Sequence, residues 1–223
     1  MPYLRIMTFN QLESEWQQHG LTDLEELLSP AESAELAPLR AEHRRTTWLA
    51  GRKLLRLLLL KERNIDPAAI SIQTRNASGQ GIRPQISQDG NILPGCFSLS
   101  HSDHHIAAAW TENTGETVGI DLITPGNITP RQFDWAMNDS EKQLVQSQTN
   151  PQKAASEIWA FKEATYKAAN QNIEGFNPQQ ITVQQDETGS WSAIYCDEDL
   201  RQWGEWTLQN VDDDLLAMVT LNR

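Results

Sequence analysis

Three short strand-forming runs crowd the stretch from Phe97 to Ile123, and their spacing leaves no room for a helix between them. Phe97-Ser98-Leu99-Ser100 alternates apolar and polar residues, Ile106 to Trp110 is rich in small residues, and Thr117 to Ile123 is largely apolar. His101-Ser102-Asp103-His104 and Asn113-Thr114-Gly115 supply the turns between them. Strands joined by such tight turns run antiparallel. The centre of the chain therefore reads as an antiparallel meander with its small-residue strand buried.

Helices flank this centre. Ser29-Pro30-Ala31-Glu32 has the spacing of a capping box with proline at the first helical position. A longer helix is predicted over Glu42 to Arg63, with Leu54, Leu55, Leu58 and Leu59 facing the core and Asn64 and Pro67 ending it. Ile70, Ile72 and Thr74 alternate like a strand, and Asn76 to Gln85 reads as a loop. Ser140-Glu141-Lys142-Gln143 has a second capping-box spacing, Pro151 breaks that helix, and Lys153 to Asn170 forms another. Strands are expected at 181–183, 191–195, 206–208 and 215–221. Helices segregated from antiparallel strands define an α+β fold, divided near residue 115 into two coarsely similar α/β halves, 1–115 and 116–223.

At 223 residues the chain can bury a real core. Its wholly apolar runs, Leu57 to Leu60 among them, fall far short of the roughly 20 residues that span a bilayer. Met1 to Phe9 does not read as a signal peptide. Cys96 and Cys196 stand far apart, outside any motif, as expected of reduced thiols in a cytoplasmic protein. A net charge of −12 argues against nonspecific nucleic-acid binding. The charge is uneven, because Arg40 to Arg63 carries eight Arg or Lys against two acids, +6, leaving −18 elsewhere. That block is either a solvated helix face or a surface for a polyanionic ligand or an acidic partner.

Chemistry concentrates in Ser98 to Ser102, Val118 to Leu122 and Trp159 to Lys167. Asp121 sits in an apolar strand, where a carboxylate is costly unless it is paired, bound to a cation or capping the following turn. Trp159, Glu163 and Lys167 are spaced to share one helix face. Taken alone, Glu163 and Lys167 could be a surface ion pair worth about 0.3–0.5 kcal/mol. The tryptophan on the same stripe argues for a buried face. Asp121 with Glu163 would make a hard-oxygen site, of the kind magnesium or manganese uses with waters and substrate phosphates.

Together, Ser100-His101-Ser102, Gly119-Ile120-Asp121 and the run from Trp159 through Lys162-Glu163-Ala164 to Lys167 resemble the surfactin-type 4'-phosphopantetheinyl transferases. Trp48-Leu49-Ala50-Gly51-Arg52, Leu54-Leu55-Arg56 and Arg83-Pro84 fit the same pattern, and the resemblance spans Ser29 to Phe176. It implies two similar halves packed with pseudo-twofold symmetry, the first binding coenzyme A and the second carrying the metal and catalytic helix. It implies magnesium-dependent transfer of 4'-phosphopantetheine from coenzyme A to a serine of an apo acyl, peptidyl or polyketide carrier protein, by a monomer. Asp121 and Glu163 correspond to metal ligands, and Glu163 also to the base for the carrier serine. Lys167 corresponds to a lysine near the phosphates, and Arg52, Arg83, Ser100 and His101 to positions that hold coenzyme A. Four positions depart: Ile123 replaces a third acidic ligand, Glu32 and Glu35 replace basic residues, and Asp103 replaces a glycine. The alternative is a coenzyme A-binding module of the same fold that has lost catalysis.

Overall fold

The computed structural model describes residues 1–21, 23–170 and 175–222. Strand β1 (Tyr3–Thr8) ends on Thr8, which caps helix α1 (Phe9–Gln18) reciprocally with Gln11. A 3-10 turn (Leu24–Leu27) leads to α2 (Pro30–Leu36), whose Ser29 and Glu32 form the predicted capping box. Helix α3 (Glu42–Arg63) buries Leu54, Leu55, Leu58 and Leu59, and Asn64 ends it in the left-handed conformation. After a second 3-10 turn (Pro67–Ala69) come β2 (Ile70–Arg75), β3 (Gly81–Gln88), β4 (Asn91–Ile92), β5 (Cys96–His101) and β6 (His105–Thr111).

From β7 (Glu116–Ile123) the same order runs again. Helices α4 (Pro130–Ala136), α5 (Asp139–Ser147) and α6 (Pro151–Ala169) precede a 3-10 turn (Pro178–Gln180). Then follow β8 (Ile181–Gln185), β9 (Trp191–Tyr195), β10 (Glu198–Asp199), β11 (Gly204–Val211) and β12 (Asp214–Asn222). The described strands form four antiparallel sheets in matching pairs: β1-β6-β5 with β7-β12-β11, and β2-β3-β4 with β10-β9-β8. The result is an α+β fold of two similar halves. Each half has its own apolar core, around Trp16, Leu55 and Phe97 in the first and Ile158, Phe161 and Val219 in the second. A third cluster, Cys96, Ala107, Ala109, Val118, Ile120, Leu122 and Leu216, lies between them. Among the described residues, no helix is long and apolar enough to cross a membrane.

Three sequence expectations change. The meander stops at the β5–β6 hairpin, because the other edge of β6 is taken by β1 and β7 pairs with β12 instead. The expected loop over Asn76 to Gln85 is shorter, with β3 beginning at Gly81. Pro84 is tolerated in that strand because it lies opposite the irregularity in β2 between Gln73 and Arg75, where the ladder needs no N–H. Helix α5 starts two residues earlier than the Ser140 spacing suggests, capped by Asn138 with Glu141 as its reciprocal partner. The pair β1 and α1 had no sequence reading at all.

The duplication reaches individual side chains. Glu32, at the third position of α2, is fully buried and accepts two hydrogen bonds of 3.0 Å from Arg56, which also donates to the carbonyls of Pro67 and Ile70. Glu141, at the third position of α5, is equally buried 2.8 Å from Lys162, which donates to the carbonyls of Pro178 and Ile181. Each pair ties a short capped helix, a long helix and a strand entry together. Glu32→Ala would leave the Arg56 guanidinium buried without its carboxylate. It should cost about 3–5 kcal/mol in urea unfolding, as the loss of one partner from a buried ion pair does.

Candidate active site

Two open strand edges meet where the halves join. The outer edge of β5 lies along the outer edge of β7, and side chains bridge them. Cys96 Sγ accepts from Val118 N at 3.3 Å, Ser98 Oγ from Ile120 N at 3.0 Å and Ser100 Oγ from Leu122 N at 3.0 Å. These residues alternate along β5, so they project from one side of it. Each supplies an acceptor to a β7 N–H that no strand pairs.

Ser100 also donates to Asp121 Oδ1 at 2.9 Å. Asp121 lies on the other face of β7, toward α6. Lys167 Nζ donates to the same Oδ1 at 2.7 Å and to Ile120 O at 3.1 Å, and stands 3.4 Å from Glu163 Oε2. The helical spacing thus brings Glu163 and Lys167 to Asp121, as the sequence suggests. Burial, offset by Lys167 and reinforced by the Glu163 charge, pushes the Asp121 carboxyl up to about 6. For Lys167, burial alone would favour the neutral amine, but Asp121 and Glu163 outweigh it and hold the ammonium above its usual range.

Gly119 makes this approach possible. A Cβ there would fall inside contact distance of the Ala164 carbonyl oxygen and 2.5 Å from Ala168 N, so α6 lies directly on the β7 backbone. Gly119→Ala must push α6 away from β7. It should cost about 1–3 kcal/mol, read as a lower urea midpoint, as overpacking does when backbone cannot yield.

The two carboxylates fit a divalent cation as a minimal pair of hard oxygens converging on one charge. Among the described residues, no group of three or more His, Cys, Asp or Glu side chains is placed to hold a metal. Ile123 packs against the second core and adds no oxygen. A cation here would therefore rely on water and substrate oxygens for the rest of its shell.

Beside Ser100 opens a cavity of about 300 Å³. Its lining includes Arg44, Trp48, Arg52, Arg75, Ser100 and His101. His101 is exposed at the rim, its ring 6.1 Å from that of His43. Arg52 is committed to the protein. Its guanidinium stacks 3.2 Å over Trp48 and donates to Glu35 at 2.7 Å and Thr74 at 2.9 Å. Burial pulls Arg52 down to about 9 despite Glu35 and Glu32. Arg83 lies outside this cavity, with its guanidinium on the carbonyls of Lys167, Ala168 and Asn170. Glu32 and Glu35, which depart from the expected basic pattern, are the structural partners of Arg56 and Arg52.

Beyond His101, a buried clasp closes the joint. Asp214, from the tip of the β11–β12 hairpin, accepts hydrogen bonds from Ser102 Oγ, from His105 Nδ1 at 2.8 Å and from Thr124 Oγ1 at 2.6 Å. Nothing in the sequence singles out Asp214, since its partners come from positions some ninety residues or more away. Burial raises its carboxyl, but the bonds from Ser102, Thr124 and His105 prevail and hold it below the usual range. A depressed acid adds stability that is present above its unfolded value near 3.9 and is lost as pH falls through the folded value. Asp214→Asn should therefore be less stable than wild type at pH 7, with the gap closing below about pH 4 in urea midpoints measured across pH.

Comparison with known proteins comes down on the second half. Residues 117–219 match the model of the 4'-phosphopantetheinyl transferase superfamily. No curated protein matches the chain. Among solved structures, holo-acyl-carrier-protein synthase of Thermotoga maritima is 20% identical over 48% of this chain and 62% of its own, with a TM-score of 0.42. The Neisseria meningitidis enzyme of the same name is 19% identical over 48% of this chain and 97% of its own, TM-score 0.41. An ACPS–CoA complex from Chronobacterium ammoniagenes is 20% identical over 48% and 96%, TM-score 0.40. The matched stretch, residues 117–219, holds Asp121, Glu163 and Lys167 and is similar to the 4'-phosphopantetheinyl transferase superfamily.

Proposed function

We propose that this protein transfers 4'-phosphopantetheine from coenzyme A to a serine of an apo carrier protein, releasing 3',5'-ADP. One observation carries the reading: Asp121, Glu163 and Lys167 converge beside a cavity lined by Arg44, Trp48, Arg75 and His101. An acidic pair suits a divalent ion, and the neighbouring basic, aromatic cavity suits a nucleotide carrying several phosphates. The superfamily match over the second half supports the same chemistry.

In this reading residues 1–115 form a half that holds coenzyme A, and residues 116–223 form the half with the metal ligands and the reacting helix. That is the single-chain, surfactin-type arrangement. Asp121 and Glu163 hold magnesium or manganese, which when bound supplies charge neutralisation and alignment at the pyrophosphate. Glu163 takes the proton from the carrier serine, a hydroxyl too weak to attack phosphorus unaided. Lys167 donates from its ammonium to the phosphate oxygens as negative charge builds on the leaving group. Ser100 keeps Asp121 turned toward α6, and His101 faces the leaving nucleotide from the cavity rim. The serine oxygen forms the new bond to the β-phosphorus, and the bond from that phosphorus to the bridging oxygen breaks, leaving with 3',5'-ADP.

The basic stretch of α3 serves this chemistry in part. Arg52 and Arg56 are tied to Glu35 and Glu32, while Arg44 faces the cavity. The site is intracellular in this reading, and the protein acts as a monomer because both halves are on one chain.

Intact-mass spectrometry of an apo carrier incubated with the protein, coenzyme A and magnesium tests the proposal. The carrier should gain one phosphopantetheine arm, and EDTA should abolish the gain. Glu163→Gln keeps the shape but not the base, so it should slow transfer about 10²–10⁴-fold with the fold intact by circular dichroism. A carrier panel that stays unmodified while coenzyme A binds would point instead to a module that has lost catalysis.

A further inference from the structure

We infer that Arg83 is a positioning residue that sets the reacting helix against the first half, and not a contact for coenzyme A. The inference rests on the functional reading above. Arg83 stands on β3, and its Nη2 donates to Lys167 O at 3.0 Å, Ala168 O at 2.9 Å and Asn170 O at 2.8 Å. These carbonyls belong to the end of α6, where the last turn has acceptors and no helical donors to meet them. A guanidinium also suits the negative end of a helix electrostatically.

Other contacts explain why such an anchor is needed. Gly119 lets α6 lie on bare backbone, so no side-chain knob on β7 at that point resists sliding along the strand. A slip of one residue would move Lys167 by about 1.5 Å along the axis and about 100° around it. That would part its Nζ from Asp121, now 2.7 Å away. Polar anchors must therefore fix the register. Lys162 binds the carbonyls of Pro178 and Ile181. Trp206 donates from its indole to Thr165 Oγ1 at 3.1 Å. Both of these tie α6 to its own half. Arg83 ties its end to the other half, on which Ser100 and His101 stand. Charge-assisted bonds from one half-buried arginine thus couple the placement of Lys167 to the half that holds the cavity.

The test compares Arg83→Gln and Arg83→Lys with wild type. Transfer kinetics, coenzyme A binding by calorimetry and amide hydrogen exchange over 164–169 are measured on each. Glutamine is shorter and uncharged and cannot serve three carbonyls. Its kcat should fall about 100-fold, the scale of a 1 Å misplacement. Coenzyme A affinity should stay within about twofold, the mark of a residue that does not touch it. Exchange at the end of α6 should rise. Lysine keeps the charge and three donors, so it should recover most of the kcat and protection. If glutamine prevents folding, lysine alone still decides: about a two- to tenfold loss of kcat with weaker protection and unchanged affinity supports the inference. A tenfold or larger loss of coenzyme A affinity with kcat and exchange unchanged would overturn it, as would no change in any readout. If wild type transfers no arm, the functional reading fails, and the exchange comparison still decides whether Arg83 holds α6.

Discussion

Everything at the site depends on how β5 meets β7. Both are edge strands, and an edge presents N–H and C=O groups that water or another strand must satisfy. Here the halves solve the problem with side chains. Cys96, Ser98 and Ser100 take the β7 N–H groups, which seals the joint while holding the strands farther apart than a true ladder would. The extra space is filled by Val118, Ile120, Leu122 and their neighbours from the first sheet. The last rung has a second use, because Ser100 gives its own proton to Asp121. The same hydroxyl therefore closes the interface and orients a carboxylate.

The serine-histidine-serine segment divides its work along these lines. Ser100 and Ser102, two residues apart, both bond carboxylates of the second half, Asp121 and Asp214, and His101 between them is left at the cavity rim. Alternation along a strand makes that division almost automatic. The departures from the expected pattern have an equally local explanation. Glu32 and Glu35 remove positive charge from the surface of α2, but they fix Arg56 and Arg52 inside the first half. Ile123 removes a possible ligand and adds an apolar contact to the second core. These three positions serve packing, so they are weak grounds for reading the site as lost.

The sequence shows some of this plainly. Helices α3 and α6 follow from leucine spacing and from a run free of glycine and proline, and α2 announces itself by an acid three residues after its cap. Asp121, Glu163 and Lys167 are legible because one apolar strand contains a carboxylate and one helix face contains the other two. What is hidden is long-range. β1 finds its partner in β6 across most of the first half, and β7 finds β12 across most of the second, so a local reading takes β5 to β7 as one meander. Two local signals do point to the joint: small polar residues at every second position of β5, and a glycine inside an apolar strand, which marks close backbone approach.

The repeated half gives the last step. Each half uses an acid in a capped short helix to hold a cation on its long helix, and that cation binds the carbonyls at the entry to the next sheet. The first half uses arginine for this and the second uses lysine, so the plan is kept while the chemistry of the pair varies. The residues of the proposed chemistry share this symmetry only in part. Glu163 follows Lys162 on α6, while the residue that follows Arg56 on α3 is Leu57, buried in the core; Lys167 and Lys61 both stand five residues after their helix's buried cation. Helix α3 thus buries its leucines while its Arg44 and Trp48 line the cavity, and α6 carries both core residues and the residues proposed to react. That second helix needs its position fixed more closely than packing alone provides, which is why polar anchors from both halves converge on it.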